Sequence, residues 1–391
     1  MHNREKGIRL DSLTGLRFLA MIPVFLFHSS LEGIFNDTQA DWDFLNGVGT
    51  SGHVAVSYFF VLSGFVLTWS YRPADRARRF WRRRVFRVFP SHLVALVAVI
   101  LLISHYADLP DWKGLGAQAL LLQAWIPDPA YFDIGNSVTW SLSVDLAVYA
   151  LFPLLYRLVE RIRPGRLWAW AGVGVLVVAL VPAVAQNFVH DDRPMPLFGV
   201  SIGQYWLVYF FPLARLVECL LGMLLARIVL TGRWIGWMRP YVAAPLVVVG
   251  YWIGQQLPYL YRTSAATVIP VGLLTASLAV ADMAGRRTVL NHRFVVRLGE
   301  LSFAFYLLHN PVLKYGHLAL GAVEKDGDLV GPSYGMAAGI ALIAAAFLLS
   351  LLLAWVLNVL VERPAMRRWS RPRPTPFPAP APTPTPTGGA V

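Results

Sequence analysis

The sequence predicts an all-α, polytopic membrane bundle of about ten transmembrane helices, and three observations support this fold class. Hydrophobic residues make up 56% of the 391-residue chain and charged residues only 14%. A soluble protein of this size needs a far more polar exterior. Apolar windows of about twenty residues recur along the chain, each long enough to cross a hydrocarbon core of about 30 Å. Lys and Arg are concentrated in every second connecting segment, which is the positive-inside pattern of membrane proteins.

The first predicted span covers about residues 13–31 and is retained, because no small-residue cleavage site follows it. Spans two to four are predicted at about 52–71, 91–106 and 139–156. Residues 115–125 are apolar but too short to cross the membrane, so we expect an interfacial or re-entrant piece there. The connection after span one is acidic, whereas the connection after span two holds a cluster of arginines: Arg72, Arg76, Arg78, Arg79, Arg82, Arg83, Arg84 and Arg87.

The remaining six spans continue the alternation of basic and acidic connections. They are predicted at about 168–186, 205–230, 241–256, 263–283, 301–320 and 334–361. The charge rule holds at every connection except the weak one near Arg262, so both termini are predicted to be cytoplasmic. We therefore divide the chain into a cytoplasmic segment (1–9), a membrane domain (10–364) and a Pro-, Thr- and Ala-rich tail (365–391), which is predicted to be disordered.

The net charge of +12 does not indicate a nucleic-acid partner, because the basic residues are divided among the short connections. The expected partner of this surface is the lipid bilayer, and the expected location is the inner membrane. The single cysteine, Cys219, excludes an intramolecular disulfide. We find no nucleotide-binding fingerprint and predict no metal and no permanently bound cofactor.

Ionisable residues inside predicted spans are costly and are candidates for function. Two of them, Arg215 and Glu218, are three residues apart, and we favour a structural ion pair on one helix face. Arg17 lies close enough to the helix end to reach the cytoplasmic surface instead. The short list of candidates is Arg17, His28, Asp145, Arg215, Glu218 and His309.

His28 is the strongest catalytic candidate. It follows Arg17 by eleven residues, so the two side chains are expected on nearly the same helix face, about 16 Å apart. Histidine is well suited to take a proton from a hydroxyl near neutral pH. A histidine in a span is also often a hydrogen-bonded packing residue, and position alone leaves both interpretations open.

Short motifs occur in order between residues 10 and 364. They are LDSLTGLRFLA at 10–20, whose helix ends in Phe27-His28, YFFVLSGF at 58–65, RRVFRVFP at 83–90, WSLSVD at 140–145, FYLLH at 305–309 and VERP at 361–364. Together they resemble the acyltransferase-3 family of integral membrane O-acyltransferases. Two departures stand out: Ser12 and Thr14 replace the usual glycines, and Asp145 replaces the usual glutamate.

The resemblance implies transfer of an acyl group from a cytoplasmic donor, expected to be acyl-CoA, to a hydroxyl. His28 would act as general base or carry the acyl group, and Arg17 would steady the thioester carbonyl or a donor phosphate. Asp145 would orient His28 or pair with an arginine. Arg84 and Arg87 would bind the donor phosphates. The second-tier candidates are Ser63, Tyr306 and His309.

The acceptor is expected to be a glycosylated small molecule of the macrolide type or a cell-envelope glycan. The absence of an additional soluble domain in the sequence slightly favours the small molecule. The rival hypothesis is a transporter or flippase, because buried charges also line translocation routes. No pair of inverted repeats or interrupted spans supports it in the sequence.

Overall fold

The computed structural model describes residues 8–71, 77–196, 198–325 and 328–369. The α-helices in these ranges are α1 (Asp11–Ser29), α2 (Thr38–Val48), α3 (Ser51–Ser70), α4 (Ala77–Tyr106), α5 (Trp112–Ala119), α6 (Pro129–Phe132), α7 (Trp140–Arg161), α8 (Leu167–Phe188), α9 (Ile202–Tyr205), α10 (Pro212–Leu230), α11 (Pro240–Gln255), α12 (Tyr259–Arg262), α13 (Val268–Met283), α14 (Arg293–Glu300), α15 (Ser302–Leu318), α16 (Met336–Leu357) and α17 (Arg363–Trp369). Two antiparallel hairpins, β1 (Pro194–Met195) with β2 (Val200–Ser201) and β3 (Val323–Lys325) with β4 (Asp328–Val330), lie in connecting segments. The chain is therefore a helical bundle.

Six helical segments of the described part are long and apolar enough to cross a membrane, which is the pattern of a multi-pass membrane protein. They contain α1, α3, α4, α7, α8 and α16. Other helices at predicted spans are not among these six segments, because they are too short or carry too many charges. The helices α11 and α13 have 16 residues each, or about 24 Å of rise. The helix α10 carries Arg215, Glu218 and Arg227.

The structure corrects several predicted boundaries. Span three was predicted from about residue 91, but α4 begins at Ala77, so the arginine cluster from Arg78 onward is helical. Arginine is a good helix former, and this explains the extension. Residues 72–76 lie outside the described residues. The predicted span 263–283 begins later, at Val268, after the separate short helix α12.

Predicted span six, about 205–230, is interrupted. A π-helical stretch, Trp206–Phe210, is followed by an extended Phe211, and α10 then begins at Pro212. Proline excludes the helical conformation from the residue before it and is favoured at the first helical position. The expected interfacial piece at 115–125 is short, as predicted, and consists of α5 and a 3-10 turn at Gln123–Trp125.

The predicted tail boundary also moves. Residues 365–369 belong to the helix α17, because Pro364 can occupy a first-turn position and the following Ala, Met and Arg residues favour a helix. The ring of Trp369 lies 5.4 Å from the ring of Phe86, which fixes this helix against α4. Residues 370–391, like residues 1–7, lie outside the described residues.

The core of the bundle is the close packing of α3 against α10. A Cβ atom added at Gly64 would overlap the carbonyl oxygen of Cys219, and one added at Gly222 would overlap that of Val61. Small residues allow membrane helices to approach to backbone contact, as here. The thiol of Cys219 is free and buried in this interface.

The expected ion pair within α10 is present. Nη1 of Arg215 lies 2.9 Å from Oε1 of Glu218, and both side chains are buried. The Arg215 guanidinium also lies over the rings of Phe60 and Tyr209, 5.1 and 5.4 Å from their centroids. The pair therefore lies buried in the bundle, behind the wall of a cavity described below.

Ser12, one of the departures from the family pattern, has a structural role. Its backbone N–H and its hydroxyl both donate to the Asp282 carboxylate, at 2.8 and 2.6 Å. This contact attaches the beginning of α1 to the end of α13, and it fixes the helix that carries Arg17 and His28.

Candidate active site

Two cavities follow the inner face of α1. The first, here called the basic cavity, has a volume of about 110 Å³ and is lined by Arg17, Arg87 and Asp145 together with Ser63, Tyr149 and Tyr306. The second, the aromatic cavity, has a volume of about 140 Å³ and is lined by His28, Asp133 and a majority of aromatic side chains. Because Arg17 is near the start of α1 and His28 near its end, the cavities lie at different depths of the bundle.

The basic cavity combines residues from α1, α3, α4 and α7. Oγ of Ser63 donates to Oδ1 of Asp145 at 3.5 Å, a long hydrogen bond. Arg17 and Arg87 face the same space, so two guanidinium groups surround one carboxylate. The cavity thus offers a net positive charge suited to an anionic ligand group.

In the aromatic cavity, His28 makes two contacts through the same nitrogen. Its Nδ1 lies 2.8 Å from the carbonyl oxygen of Val24 and 3.2 Å from Nε2 of His309. His309 is fully buried, and its own Nδ1 lies 2.8 Å from the carbonyl oxygen of Tyr306. His309 therefore bonds a neighbouring backbone oxygen and also contacts His28.

These partners assign the tautomers of the neutral pair. A carbonyl oxygen only accepts, so Nδ1 of His309 carries its proton and Nε2 of His309 is an acceptor. Nδ1 of His28 likewise carries a proton, shared between Val24 and His309. The unprotonated nitrogen of His28 is then Nε2, which leaves a lone pair for the cavity that the ring lines.

Tyr306 and Val56 line both cavities. The Tyr306 hydroxyl donates to the carbonyl oxygen of Val138 at 2.7 Å. With its only proton used in this way, it accepts from Oγ of Ser141, also at 2.7 Å. The aromatic side chain of Tyr306 is thus held at the boundary between the basic and the aromatic cavity.

The structure therefore divides the predicted site residues into two groups. Arg17, Arg87, Asp145 and Ser63 line the basic cavity, His28 lines the aromatic cavity with His309 behind it, and Tyr306 lines both. Asp145 lines the basic cavity with Arg17 and Arg87 and accepts from Ser63. The residues that contact Nδ1 of His28 are Val24 and His309.

Arg84 differs from Arg87. It lines a separate apolar groove between α4 and α7, with a guanidinium 5.4 Å from the Phe80 ring and 5.8 Å from the Tyr149 ring. Its Nε is buried and has no hydrogen-bond partner among the described residues. The two arginines that sequence analysis treated as one donor site thus lie in different environments.

Sequence reasoning missed several residues of the aromatic cavity. Asp133 lies in a connection and belongs to none of the motifs, yet it lines the cavity with His28. His53 was not considered, although its buried Nε2 lies 2.8 Å from the Tyr205 hydroxyl in the cavity wall. Of these missed residues, only Trp140 lies in a motif that sequence could have pointed to, WSLSVD.

The surroundings of Asp133 alter its titration. Desolvation by neighbouring protein atoms raises the pKa of Asp133 to about 6, and Lys314 opposes this shift. The carboxylate nevertheless remains open to the cavity. Near neutral pH the ionised Asp133 therefore places a negative charge in the aromatic cavity, and this carboxylate is only partly desolvated.

Comparison with known proteins identifies the family. The profile described as an acyltransferase domain, acyltransferase-3, matches residues 10–359. The chain is 38% identical over 375 residues to acyltransferase MdmB of Streptomyces mycarofaciens, with 94% of each chain covered. It is 24% identical over 311 residues to nodulation protein 10 of Rhizobium leguminosarum bv. viciae, covering 70% of this chain and 77% of that one.

A third relative matches over a shorter region. Peptidoglycan O-acetyltransferase OatA of Listeria monocytogenes is 26% identical over 161 residues, or 37% of this chain and 24% of its own. No solved structure matches. The family profile covers most of the chain and the MdmB alignment covers nearly all of it, so the resemblance seen in the short motifs is confirmed. The chain belongs to the acyltransferase-3 family and is a membrane O-acyltransferase.

Proposed function

We propose that this enzyme transfers an acyl group from acyl-CoA in the basic cavity to an acceptor hydroxyl in the aromatic cavity, with His28 at the reacting atoms. The observation that carries the proposal is the pair of contacts at Nδ1 of His28. They fix the tautomer in which Nε2 is free, and a general base needs a lone pair within reach of its substrate.

The membrane topology that we propose for this enzyme has ten spans, both termini in the cytoplasm and the bundle in the inner membrane. The distribution of Lys and Arg supports this arrangement. The arginine-rich first half of α4, which leads to Arg87, then faces the cytoplasm, where acyl-CoA is available. The positive basic cavity suits the phosphates of the donor, or the thioester carbonyl as negative charge develops on it.

Two routes of transfer are chemically complete. In direct transfer, Nε2 of His28 takes the proton of the acceptor hydroxyl while its oxygen attacks the thioester carbon. The C–S bond then breaks, and the imidazolium returns the proton to the departing thiolate. In the relay, Nε2 attacks the thioester carbon, the C–S bond breaks, and an N-acylimidazolium and a thiolate form. The acceptor oxygen then attacks the acyl carbon, and the C–N bond breaks to restore neutral His28. The hydroxyl proton passes to solvent, and the thiolate takes a proton from solvent.

His309 supports either route. It is a positioning residue, because it accepts from Nδ1 of His28 and keeps the opposite nitrogen free. It also lowers the cost of positive charge on the His28 ring, since an imidazolium keeps the same Nδ1–H donor. This is the role of an orienting group behind a general base.

The acceptor proposed is a glycosylated small molecule of the macrolide type, with a cell-envelope glycan as the second candidate. The relative named for a cell-envelope glycan, peptidoglycan O-acetyltransferase OatA, aligns over only about a third of this chain, which favours the first candidate. The aromatic cavity also suits a compact acceptor with apolar faces.

The test uses the full chain in nanodiscs with radiolabelled acetyl-CoA and propionyl-CoA. The acceptors are a macrolide glycoside and a soluble peptidoglycan fragment. We expect an ester product whose labelled acyl group is released by mild alkali. Substrate movement without any ester product would contradict the proposal and favour a transport protein. Trapping of a labelled protein before acceptor addition would distinguish the relay from direct transfer.

A further inference from the structure

We infer that the aromatic cavity selects acceptors that carry a protonated amine beside the hydroxyl to be acylated, and that Asp133 binds that ammonium group. The inference rests on the proposed function for the identity of the cavity as the acceptor site. It goes further by naming the chemical class of the acceptor.

The first argument is the charge of the cavity wall. Among the described residues that line it, Asp133 is the only Asp, Glu, Lys or Arg side chain. Its carboxylate has no hydrogen-bond or ion-pair partner within the described part of the chain, and Lys314 attracts it electrostatically. An unpaired, partly desolvated carboxylate favours a cationic ligand group.

The second argument is the aromatic lining. Rings of Trp140, Tyr205, Tyr209 and Phe210 face the same space as Asp133. Aromatic faces carry negative charge density and attract ammonium groups, including the alkylated ones, within about 6 Å. The same rings pack well against the apolar faces of a sugar or a macrocycle. Carboxylate and rings together form a site for an amphiphilic cation.

A neutral polyhydroxylated acceptor, the alternative, would need several unoccupied donors and acceptors in the wall. Three of the four wall hydroxyls, all but that of Tyr209, already have partners. Ser137 accepts from Asn310 at 3.1 Å, and Tyr205 is bonded to His53 at 2.8 Å. Tyr306 is held by Val138 and Ser141. A neutral glycan would leave most of its hydroxyls unpaired in this cavity.

Lys314 is exposed and attracts both Asp133 and Glu32, which lies just beyond the end of α1. The three groups carry one net negative charge when all are ionised. Lys314 therefore reduces the attraction at the cavity but does not cancel it.

The test measures equilibrium binding to the full chain in nanodiscs without any acyl donor. Two probes are compared: the methyl glycoside of a 3-dimethylamino-3-deoxyhexose, and the methyl glycoside of the parent hexose with hydroxyl in place of the amine. Protein-free nanodiscs correct for partition into lipid. The expected result at neutral pH is about tenfold tighter binding of the amine probe.

Asp133→Asn is expected to abolish this preference, so that the amine probe binds no tighter than the neutral probe. The matched control is Asp192→Asn, which removes an exposed outer carboxylate that does not line the cavity and should keep the preference. The inference would be overturned if the unchanged protein bound the two probes equally or did not bind the amine probe. A preference that survives Asp133→Asn would overturn it as well. Adding labelled acetyl-CoA to the same preparation tests the proposed function separately: bound amine without ester formation refutes acyl transfer alone.

Discussion

Nδ1 of His28 lies 3.2 Å from Nε2 of His309, and the two rings meet edge to face with centroids 4.9 Å apart. This contact joins residues 281 positions apart, on α1 and α15. Because His309 also donates to a backbone oxygen, its acceptor nitrogen is directed at His28. The pair explains how a histidine near the end of a membrane helix keeps one nitrogen free for chemistry.

Replacement of His28 by alanine is expected to lower kcat/KM for acyl transfer by at least about 10²-fold, since a positioned general base contributes that much or more. The measurement is ester formation per mole of protein in membranes with normal levels of the variant. His105→Ala, an exposed histidine near the end of α4, is the control and should retain activity. Undiminished transfer by His28→Ala would refute the central assignment.

Replacement of His309 by leucine removes the acceptor behind His28 and is expected to lower kcat about tenfold to a hundredfold. The donor and acceptor KM values should stay near those of the unchanged enzyme. His309→Gln keeps a side-chain acceptor of similar reach and should recover part of the lost rate. Equal losses in the two variants would indicate a packing role only, in line with the stacking of His309 on Phe305.

The two arginines of the RRVFRVFP motif are expected to behave differently. Arg87→Gln should raise the KM for acyl-CoA about tenfold, because Arg87 faces the basic cavity. Arg84→Gln should raise it less, because Arg84 faces the apolar groove. Initial rates over a range of acyl-CoA concentrations measure both effects, with Arg78→Gln as an exposed control. A fall in membrane abundance at unchanged KM would instead assign Arg87 to topology.

The contact between α3 and α10 is expected to tolerate no side chain at Gly64. Gly64→Ala inserts a methyl group against the backbone of Cys219 and should destabilise the fold by about 1–3 kcal/mol. Thermal unfolding in detergent measures this loss. Gly172→Ala on α8 is the matched control, because a Cβ there meets nothing within 4 Å. Unchanged stability of Gly64→Ala would contradict the close packing described.

The preference for an amine probe is expected to depend on pH. With a pKa of about 6, Asp133 is ionised above neutrality, so the preference is complete there and is lost as the pH falls through 6. The other titratable groups near it are His28 and Tyr205 in the cavity and Lys314, with Glu32 beyond. Binding between pH 5 and 8 measures the effect. A pH dependence that persists in Asp133→Asn would contradict the assignment to Asp133 and indicate another of these groups.

Much of the fold could be predicted from local sequence. Apolar length identified the helical membrane bundle, and the spacing of Arg215 and Glu218 identified their ion pair. The errors were boundaries: the start of α4, the interruption before Pro212 and the length of the tail. Hydropathy windows do not register a charged helix that continues beyond the apolar core, or the effect of one proline on the preceding residue.

The candidate site could be predicted from the sequence only in part. Arg17 and His28 are three turns apart on one helix, so the helical period alone predicts that both lie on nearly the same face. The side-chain partner of His28, His309, comes from a helix almost three hundred residues later, and Asp133 comes from a connection without any motif. Periodicity within one element carries no information about which other element packs against it.

By itself, the sequence determined the class of this protein: a helical membrane protein of the acyltransferase-3 family with His28 as its foremost candidate. Those properties depend on apolar length, on charge and on short motifs, which are local. Only the tertiary structure decided that Arg17 and His28 line different cavities, that His309 rather than Asp145 contacts His28, and that Asp133 lies in the aromatic cavity. These relationships arise when distant helices pack together, and the physical environment of each side chain is set by that packing.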